Sequence, residues 1–202
     1  MDDPREQMVR LCKLAYERRL MDSAGGNVTV RVGDRVYMTR SYAGPRWQWD
    51  LATSDILLLD LDGNILDGEG EFSREGKVHL ACYRALPEAR AVWHAHPFNV
   101  MAFVSRQAPL PSGSEQTDKF GTIGYCVHAP SGSDALAENV AAALKPQEAN
   151  LPTHPIATLI PRHGIFIAST ELWLAYDCLE RLDRSAHMQL LGAPLDRGQA
   201  ER

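Results

Sequence analysis

The sequence predicts a single α/β domain of the α+β kind, in which a mixed sheet is flanked by helices. Short apolar stretches separated by turn residues form two hairpin patterns in the first third of the chain. Helical patterns then alternate with single strands, which favours a mixed sheet over a doubly wound parallel one. The 202 residues are 45% apolar and 23% charged, which suits one sizeable core. We expect one domain over residues 1–202, with a mobile tail from about residue 193.

Charge and composition exclude several classes of partner. The 21 basic and 26 acidic residues give a net charge of −5, and no basic block beyond Arg18-Arg19 is present to neutralise a phosphate backbone. No apolar run approaches the ~20 residues of a membrane span, and the acidic start lacks the features of a signal peptide. The four cysteines are scattered, as reduced core thiols are. We expect a cytoplasmic protein with a small-molecule ligand and neither nucleic-acid nor membrane partners.

Periodicity and turn residues predict the elements of the first half. Apolar residues recur at helical spacing near the amino terminus and predict a helix that ends near residues 23–26. These residues are Met8, Leu11, Cys12 and Ala15. Alternation over residues 28–38 predicts a hairpin, and residues 56–61 with residues 65–66 predict a second one. Residues 40–50 contain Tyr42, Trp47 and Trp49 and are predicted to form a loop that covers something.

The second half is predicted by the same signals. Ser73 is expected to cap a helix that runs to about residue 85, and the last long helix is expected to start at Leu172. Further helices are predicted over residues 99–105 and 137–144. Strands are predicted over residues 91–96, 126–128 and 157–160.

His94-Ala95-His96 is the most informative motif. On a strand, residues i and i+2 face the same way, so both imidazoles can bind one metal ion. Closely spaced histidines also occur by chance, so the interpretation needs a third ligand. His163 fits because it follows an apolar strand and precedes Gly164, where the chain can turn. The alternative third ligands are His79, His128, His154 and His187.

Three other sites each have a structural and a functional interpretation. Glu75 lies in the first turn of its helix, where an acid either stabilises the helix dipole or faces the metal and moves a proton. Spacing alone favours the helix-dipole role. Gly26 and Asn27 precede the first strand, where they serve a tight turn or the close approach of a ligand. We expect His79 to be packed or hydrogen-bonded within its helix.

Four motifs in order resemble the class II aldolase/adducin family over nearly the whole chain. They are Gly25-Gly26-Asn27-Val28-Thr29, Ser73-Arg74-Glu75 leading to His79, His94-Ala95-His96 and Arg162-His163-Gly164. The resemblance implies a largely antiparallel sheet sandwiched between helical layers, and a homotetramer with sites between subunits. It also implies one divalent ion per chain on His94, His96 and His163, with Glu75 as proton shuttle. Zinc suits three imidazoles best, and manganese, cobalt or iron are the alternatives.

Differences from the sugar-phosphate members of that family predict a different substrate. Those members hold the phosphate with a short Ser/Thr-Gly turn after the first hairpin and with two hydroxylated residues before the acid. Here residues 40–46, after Thr39, form a longer loop, and Arg74 stands at the second hydroxylated position, so we do not expect a typical sugar phosphate. Arginine also suits a carboxylate, so Arg40, Arg46 and Arg74 are either anion ligands or solvated residues. The predicted substrate ligands are Gly26, Asn27, Thr39, Arg40, Ser41, Ser73 and Arg74.

The resemblance also implies a second catalytic acid or base in the stretch after the histidine pair. Family branches use a tyrosine or an acid there. Glu115 and Asp118 are the candidates in this chain, because the nearest tyrosine is Tyr125.

We therefore expect a divalent-metal-dependent carbon–carbon lyase of the aldolase type. Its expected substrate is a small, anionic, hydroxylated carbonyl compound that is not a typical sugar phosphate. The alternative is a decarboxylase of a hydroxylated aromatic or hydroxy-keto acid, because the aromatic loop and its arginines suit a flat anion. Epimerisation and dehydration would use the same site. A non-catalytic module of the adducin kind is disfavoured, because all three histidines and Glu75 are present.

Overall fold

One seven-stranded sheet forms the middle of the protein, and its strand pairings are antiparallel throughout the residues described. This computed structural model describes the backbone of residues 3–200 and the side chains of residues 3–192. The strands are β1 (Asn27–Val32), β2 (Arg35–Thr39), β3 (Ile56–Asp60), β4 (Ile65–Asp67), β5 (Ala91–Ala95), β6 (Ile156–Ile160) and β7 (Gly164–Ser169). Their order across the sheet is β4-β3-β2-β1-β5-β7-β6, so the predicted, largely antiparallel sheet is confirmed.

Helices cover both faces of the sheet. They are α1 (Arg5–Glu17), α2 (Ala43–Trp47), α3 (Gly76–Ala85), α4 (Val100–Arg106), α5 (Glu115–Asp118), α6 (Asp134–Leu144) and α7 (Leu172–Ala200). Helices α1, α4 and α7 pack on one face, and α3 and α6 pack on the other, which confirms the predicted sandwich. Within residues 3–200, no helix has both the length and the hydropathy that a bilayer crossing requires. The tail predicted to be mobile from about residue 193 lies outside the residues whose side chains are described, so its mobility stays a prediction.

Alternation along the neighbouring strands β5 and β7 divides their side chains between two cores. In β5, Trp93 packs with α1 and α7, whereas Val92 packs with α3 and α6. In β7, Ile165 faces the first core and Phe166 the second. His94 follows Val92 by two residues, so it lies on the α3 side of the sheet, where it stacks on Phe166 with ring centroids 4.6 Å apart.

Two strand predictions are corrected. The sequence prediction lacks β7, because all six of its residues are buried and no polar alternation marks them as a strand. Residues 126–128, predicted as a strand, form none. Only a single bridge joins Tyr125 to Leu159, and Val127 is 71% exposed, so the segment touches the edge of β6 at one point and leaves it.

Three helix predictions are also corrected. Helix α1 ends at Glu17 and not near residues 23–26, because Arg19 is left-handed with φ of 59°. Helix α3 starts at Gly76 with Glu75 as its N-cap residue, so Ser73 does not cap it. The predicted loop over residues 40–50 contains α2, which lies between two left-handed residues, Tyr42 and Gln48.

Candidate metal centre and active site

Three histidines meet where β5 ends, beside the turn between β6 and β7. His94 lies on β5, His96 lies just beyond its end, and His163 lies in the turn between β6 and β7. One nitrogen of each lies within 4.8 Å of the other two. The ring centroid of His94 lies 5.0 Å from that of His96 and 4.8 Å from that of His163. The fold therefore brings together the three residues that the sequence predicts as metal ligands.

The outer nitrogens of two of these rings are held by hydrogen bonds. His94 Nδ1 donates to the Ile165 carbonyl at 3.0 Å, and His96 Nδ1 donates to Asp22 Oδ1 at 3.1 Å. Both Nε2 atoms are buried. That of His96 has no hydrogen-bond partner among the described residues, and that of His94 lies 3.0 Å from Glu75 Oε2. Such nitrogens are costly unless something binds them, and neutral imidazole with a fixed Nδ1–H is an ordinary zinc ligand. The donor set therefore fits a divalent ion.

Glu75 closes the cluster from the α3 side. Its Oε2 lies 3.0 Å from His94 Nε2 and its Oε1 lies 3.3 Å from His163 Nε2, while Ser131 Oγ donates to Oε1 at 2.8 Å. The residue is only 6% exposed, and its side chain makes no capping hydrogen bond to α3. The geometry supports the functional interpretation of Glu75 over that of a helix-stabilising acid.

The charges of this cluster depend on one another. Burial alone would raise the pKa of the Glu75 carboxyl, but His94, His163 and the Ser131 hydroxyl hold it well below its ordinary value. Burial opposes the charged form of His94, yet the Glu75 carboxylate raises its pKa. Burial and the neighbouring His94 lower the pKa of His163 to about 4. Glu75 is therefore ionised at neutral pH, and His163 is neutral and able to bind a metal.

A buried hydrogen-bond network fixes Asn27 beside the histidines. Asn27 Nδ2 donates to Ser73 Oγ at 3.0 Å, and His79 Nε2 donates to Asn27 Oδ1 at 2.5 Å. Thr29 Oγ1 in turn donates to His79 Nδ1 at 2.8 Å. Burial lowers the pKa of His79 to about 3, which agrees with a neutral ring that donates through one nitrogen and accepts through the other. As expected from the sequence, His79 is a packed and hydrogen-bonded helix histidine.

Two glycines leave room for the His96 ring. A Cβ added at Gly25 would lie 3.3 Å from His96 Cε1. A Cβ added at Gly164 would lie 2.7 Å from His96 Cδ2 and 2.5 Å from the Ala95 carbonyl oxygen. The paired glycines before β1 and the glycine after His163 thus permit close packing around a metal ligand.

Replacing Gly164 with alanine is expected to displace the His96 ring and to weaken metal binding. The new methyl group meets a backbone oxygen that cannot easily move, so unfolding free energy should fall by about 1–3 kcal/mol. Chemical denaturation and zinc titration measure the two effects. Gly124→Ala is the matched control, because a Cβ there meets nothing within 4 Å. Equal metal affinity in the two variants would contradict the proposed crowding.

The histidines open into a cavity of about 270 Å³. The predicted site residues that line it are Gly26, Asn27, Arg40, Ser41, Ser73, Arg74, Glu75, His94, His96 and His163. Thr39 does not line it, because its buried Oγ1 accepts the Val28 N–H at 3.1 Å. Glu115 and Asp118 also lie outside the lining, on α5, where Asp118 accepts a hydrogen bond from Ser112. Within a single chain, these two acids do not reach the histidines.

The three arginines of interest have different surroundings. Arg40 Nη1 binds Asp55 at 2.7 Å, and its guanidinium lies over the Trp47 ring at 4.3 Å. The guanidinium of Arg46 lies over the Tyr42 ring at 4.9 Å. Arg74 is exposed and makes no hydrogen bond or ion pair with the residues described. Arg74 is therefore the cavity-lining arginine best able to accept an anion.

Two residues at the site are missing from the sequence prediction. Asp22 binds His96, and Ser131 binds Glu75. Asp22 precedes a glycine turn and Ser131 lies between a proline and a glycine, which are signals for turns and not for a site. Their roles depend on partners that are 74 and 56 residues away in the chain.

The chain is similar to known proteins of one family. The family model for the class II aldolase and adducin N-terminal domain matches residues 6–190. An L-fuculose phosphate aldolase from Methanocaldococcus jannaschii is 29% identical, with 93% of this chain and 96% of that protein covered. A 3-oxo-tetronate 4-phosphate decarboxylase from Haemophilus influenzae is 27% identical, with coverage of 91% and 85%. The solved L-fuculose-1-phosphate aldolase from Thermus thermophilus gives a TM-score of 0.78 at 25% identity, and the match covers 97% of each chain.

Proposed function

The chain belongs to the class II aldolase and adducin N-terminal domain family, and on that premise we propose that it is a divalent-metal-dependent carbon–carbon lyase of the aldolase type. The observation that supports this most directly is the cluster of three histidines beside the Glu75 carboxylate, in which His96 Nε2 is buried without a hydrogen-bond partner among the described residues. The proposed substrate is a small, anionic, hydroxylated carbonyl compound without a sugar phosphate group.

His94, His96 and His163 would hold the ion, which we propose to be zinc because three imidazoles suit it. A divalent ion there supplies a Lewis acid, which stabilises negative charge as a bond beside a carbonyl breaks. Glu75 would move the proton, since its carboxylate is ionised and lies against the same ring nitrogens. Ser131 holds that carboxylate in place.

The rest of the cavity suits binding and orientation of a small polar substrate. The Asn27 amide is fixed by His79 and Ser73, so its position is set before a ligand arrives. Arg74 lies at the rim with its guanidinium unbound, where it would attract a carboxylate. The side chain of Arg40 is already bound to Asp55, so we assign Arg40 to the cavity wall and not to anion binding.

Glu115 and Asp118 stay predictions as the second acid or base. Because they lie outside the cavity of their own chain, such a role requires a neighbouring copy that places α5 near the histidines. We propose a homotetramer with sites between subunits, and sedimentation measurements on the purified protein test the oligomeric state.

A decarboxylase is the second candidate. One relative is named as a decarboxylase, and the exposed aromatic residue Tyr42 lines the cavity that Arg74 also lines. The guanidinium of Arg46 lies over the Tyr42 ring. A flat anionic acid would fit between an aromatic ring and a guanidinium. Loss of carbon dioxide would use the same ion and the same Glu75.

A substrate panel separates these functions. We expect turnover of hydroxy-keto or hydroxylated aromatic acids and little turnover of fuculose 1-phosphate or ribulose 5-phosphate, because the hydroxyl-rich phosphate turns are absent. Each reaction is followed by aldehyde product and by released carbon dioxide. Carbon dioxide release would favour the decarboxylase. The relatives are named for phosphorylated compounds, and efficient turnover of a sugar phosphate would overturn the assigned substrate class.

A further inference from the structure

We propose that Asp22 is a positioning residue of the metal centre that holds the His96 ring with its Nε2 facing the ion. The inference rests on the proposed function, because it takes His94, His96 and His163 as ligands of a divalent ion. Asp22 lies between α1 and β1, and its Oδ1 accepts the hydrogen bond from His96 Nδ1 at 3.1 Å. It does not line the cavity, so its effect passes through His96.

The Asp22 residue is itself held in place from two sides. Its Oδ1 accepts the N–H groups of Ala24 at 2.9 Å and Gly25 at 3.1 Å. Its main-chain carbonyl accepts Trp49 Nε1–H at 2.9 Å. Trp49 is fully buried in the core that contains α1 and α7, so the turn is anchored to rigid structure. A carboxylate fixed in this way can fix the ring that it binds.

His96 needs such a partner more than His94 does. β5 ends at Ala95, so the sheet ladder does not set the orientation of His96. His94 lies within the strand, stacks on Phe166 and binds the main-chain carbonyl of Ile165. The outer partner of His94 is therefore backbone, whereas the outer partner of His96 is a side chain that substitution can remove.

The hydrogen bond between His96 Nδ1 and Asp22 has a direct consequence for metal binding. A proton held on Nδ1 leaves the Nε2 lone pair free, and a carboxylate partner makes that nitrogen a stronger donor. Loss of such an outer partner typically weakens metal affinity by about 10- to 100-fold. The Asp22 side chain is 46% exposed, so its truncation leaves no buried cavity and the variant is expected to fold.

The test measures the zinc dissociation constant of the full chain by competition with a chromophoric chelator. Asp22→Ala is expected to weaken zinc binding by about 10- to 100-fold, and Asp22→Asn by less, because its amide oxygen still accepts the His96 N–H. Asp60→Ala is the matched control. Asp60 accepts the N–H groups of Asp62 and Asn64 in a turn outside the cavity lining, so its loss should leave zinc affinity unchanged.

A second measurement shows which ring nitrogen of His96 carries the proton. Long-range ¹H–¹⁵N spectra of the histidine side chains should show His96 protonated on Nδ1 in the parent protein and a changed tautomer signal in Asp22→Ala. Unchanged zinc affinity and an unchanged His96 signal in folded Asp22→Ala would overturn the inference. If that variant does not fold, Asp22→Ser decides, since serine can cap the turn but cannot reach His96. Failure of the parent protein to bind zinc would instead overturn the proposed function.

Discussion

His163→Ala is expected to lose its bound divalent ion and, with it, nearly all turnover. The side chain of His163 is 23% exposed, so truncation removes a ligand without emptying the core. His94→Ala is expected to have the same effect on metal, although His94 is fully buried and the variant should also be less stable. Elemental analysis of the purified proteins measures the ion content, which should be about one per chain in the parent.

Two further measurements complete the metal prediction. His128→Ala serves as the control, because His128 is an exposed histidine outside the cavity lining. Treatment of the parent with a chelator should lower its melting temperature, since an ion that binds only the native state stabilises it by about 2.7 kcal/mol at 100 times its dissociation constant. Full metal content in folded His94→Ala and His163→Ala would refute the assigned ligands.

Glu75→Gln is expected to fold, to bind metal and to lose turnover by about 10²-fold or more, the usual range for a general acid or base. Glutamine keeps the size of the side chain and its contact with Ser131, but it cannot take up a proton. Steady-state kinetics on the active substrate of the panel measures the loss, and elemental analysis checks that the ion is retained.

Glu69→Gln is the control for Glu75→Gln, because Glu69 is an exposed acid that does not line the cavity. A Glu75→Gln enzyme with near-normal turnover would show that Glu75 is a structural acid at the start of α3. Loss of the ion in Glu75→Gln would show instead that the carboxylate is a metal ligand, which its 3.0 Å distance from His94 Nε2 also permits.

Local sequence patterns were sufficient to predict elements and motifs whose residues lie close together in the chain. The hairpin β1–β2, the helix around His79 and the His94-Ala95-His96 motif follow from residues at most a few positions apart. For the third histidine, a strand end and a following glycine favour His163, but only the order of the four family motifs separates it from the other candidates. Periodicity does not predict β7, because a strand buried on both faces shows no alternation of apolar and polar residues. It wrongly predicts a strand over residues 126–128, because that segment makes only one bridge, at Tyr125, and no continuous pairing.

The sequence by itself determined the fold class and the order of most elements, because these rest on local spacing. It also singled out the three histidines and Glu75, through motifs in a fixed order, and their roles stay predictions. Only the tertiary structure decided that Glu75 faces His94 and His163 and that Arg40 is occupied by Asp55. The hydrogen bonds of Asp22 with His96 and of Ser131 with Glu75 are likewise visible only in the tertiary structure. The physical reason is that these contacts depend on distances between side chains from separate elements, which only the packing of helices onto the sheet brings within hydrogen-bond reach.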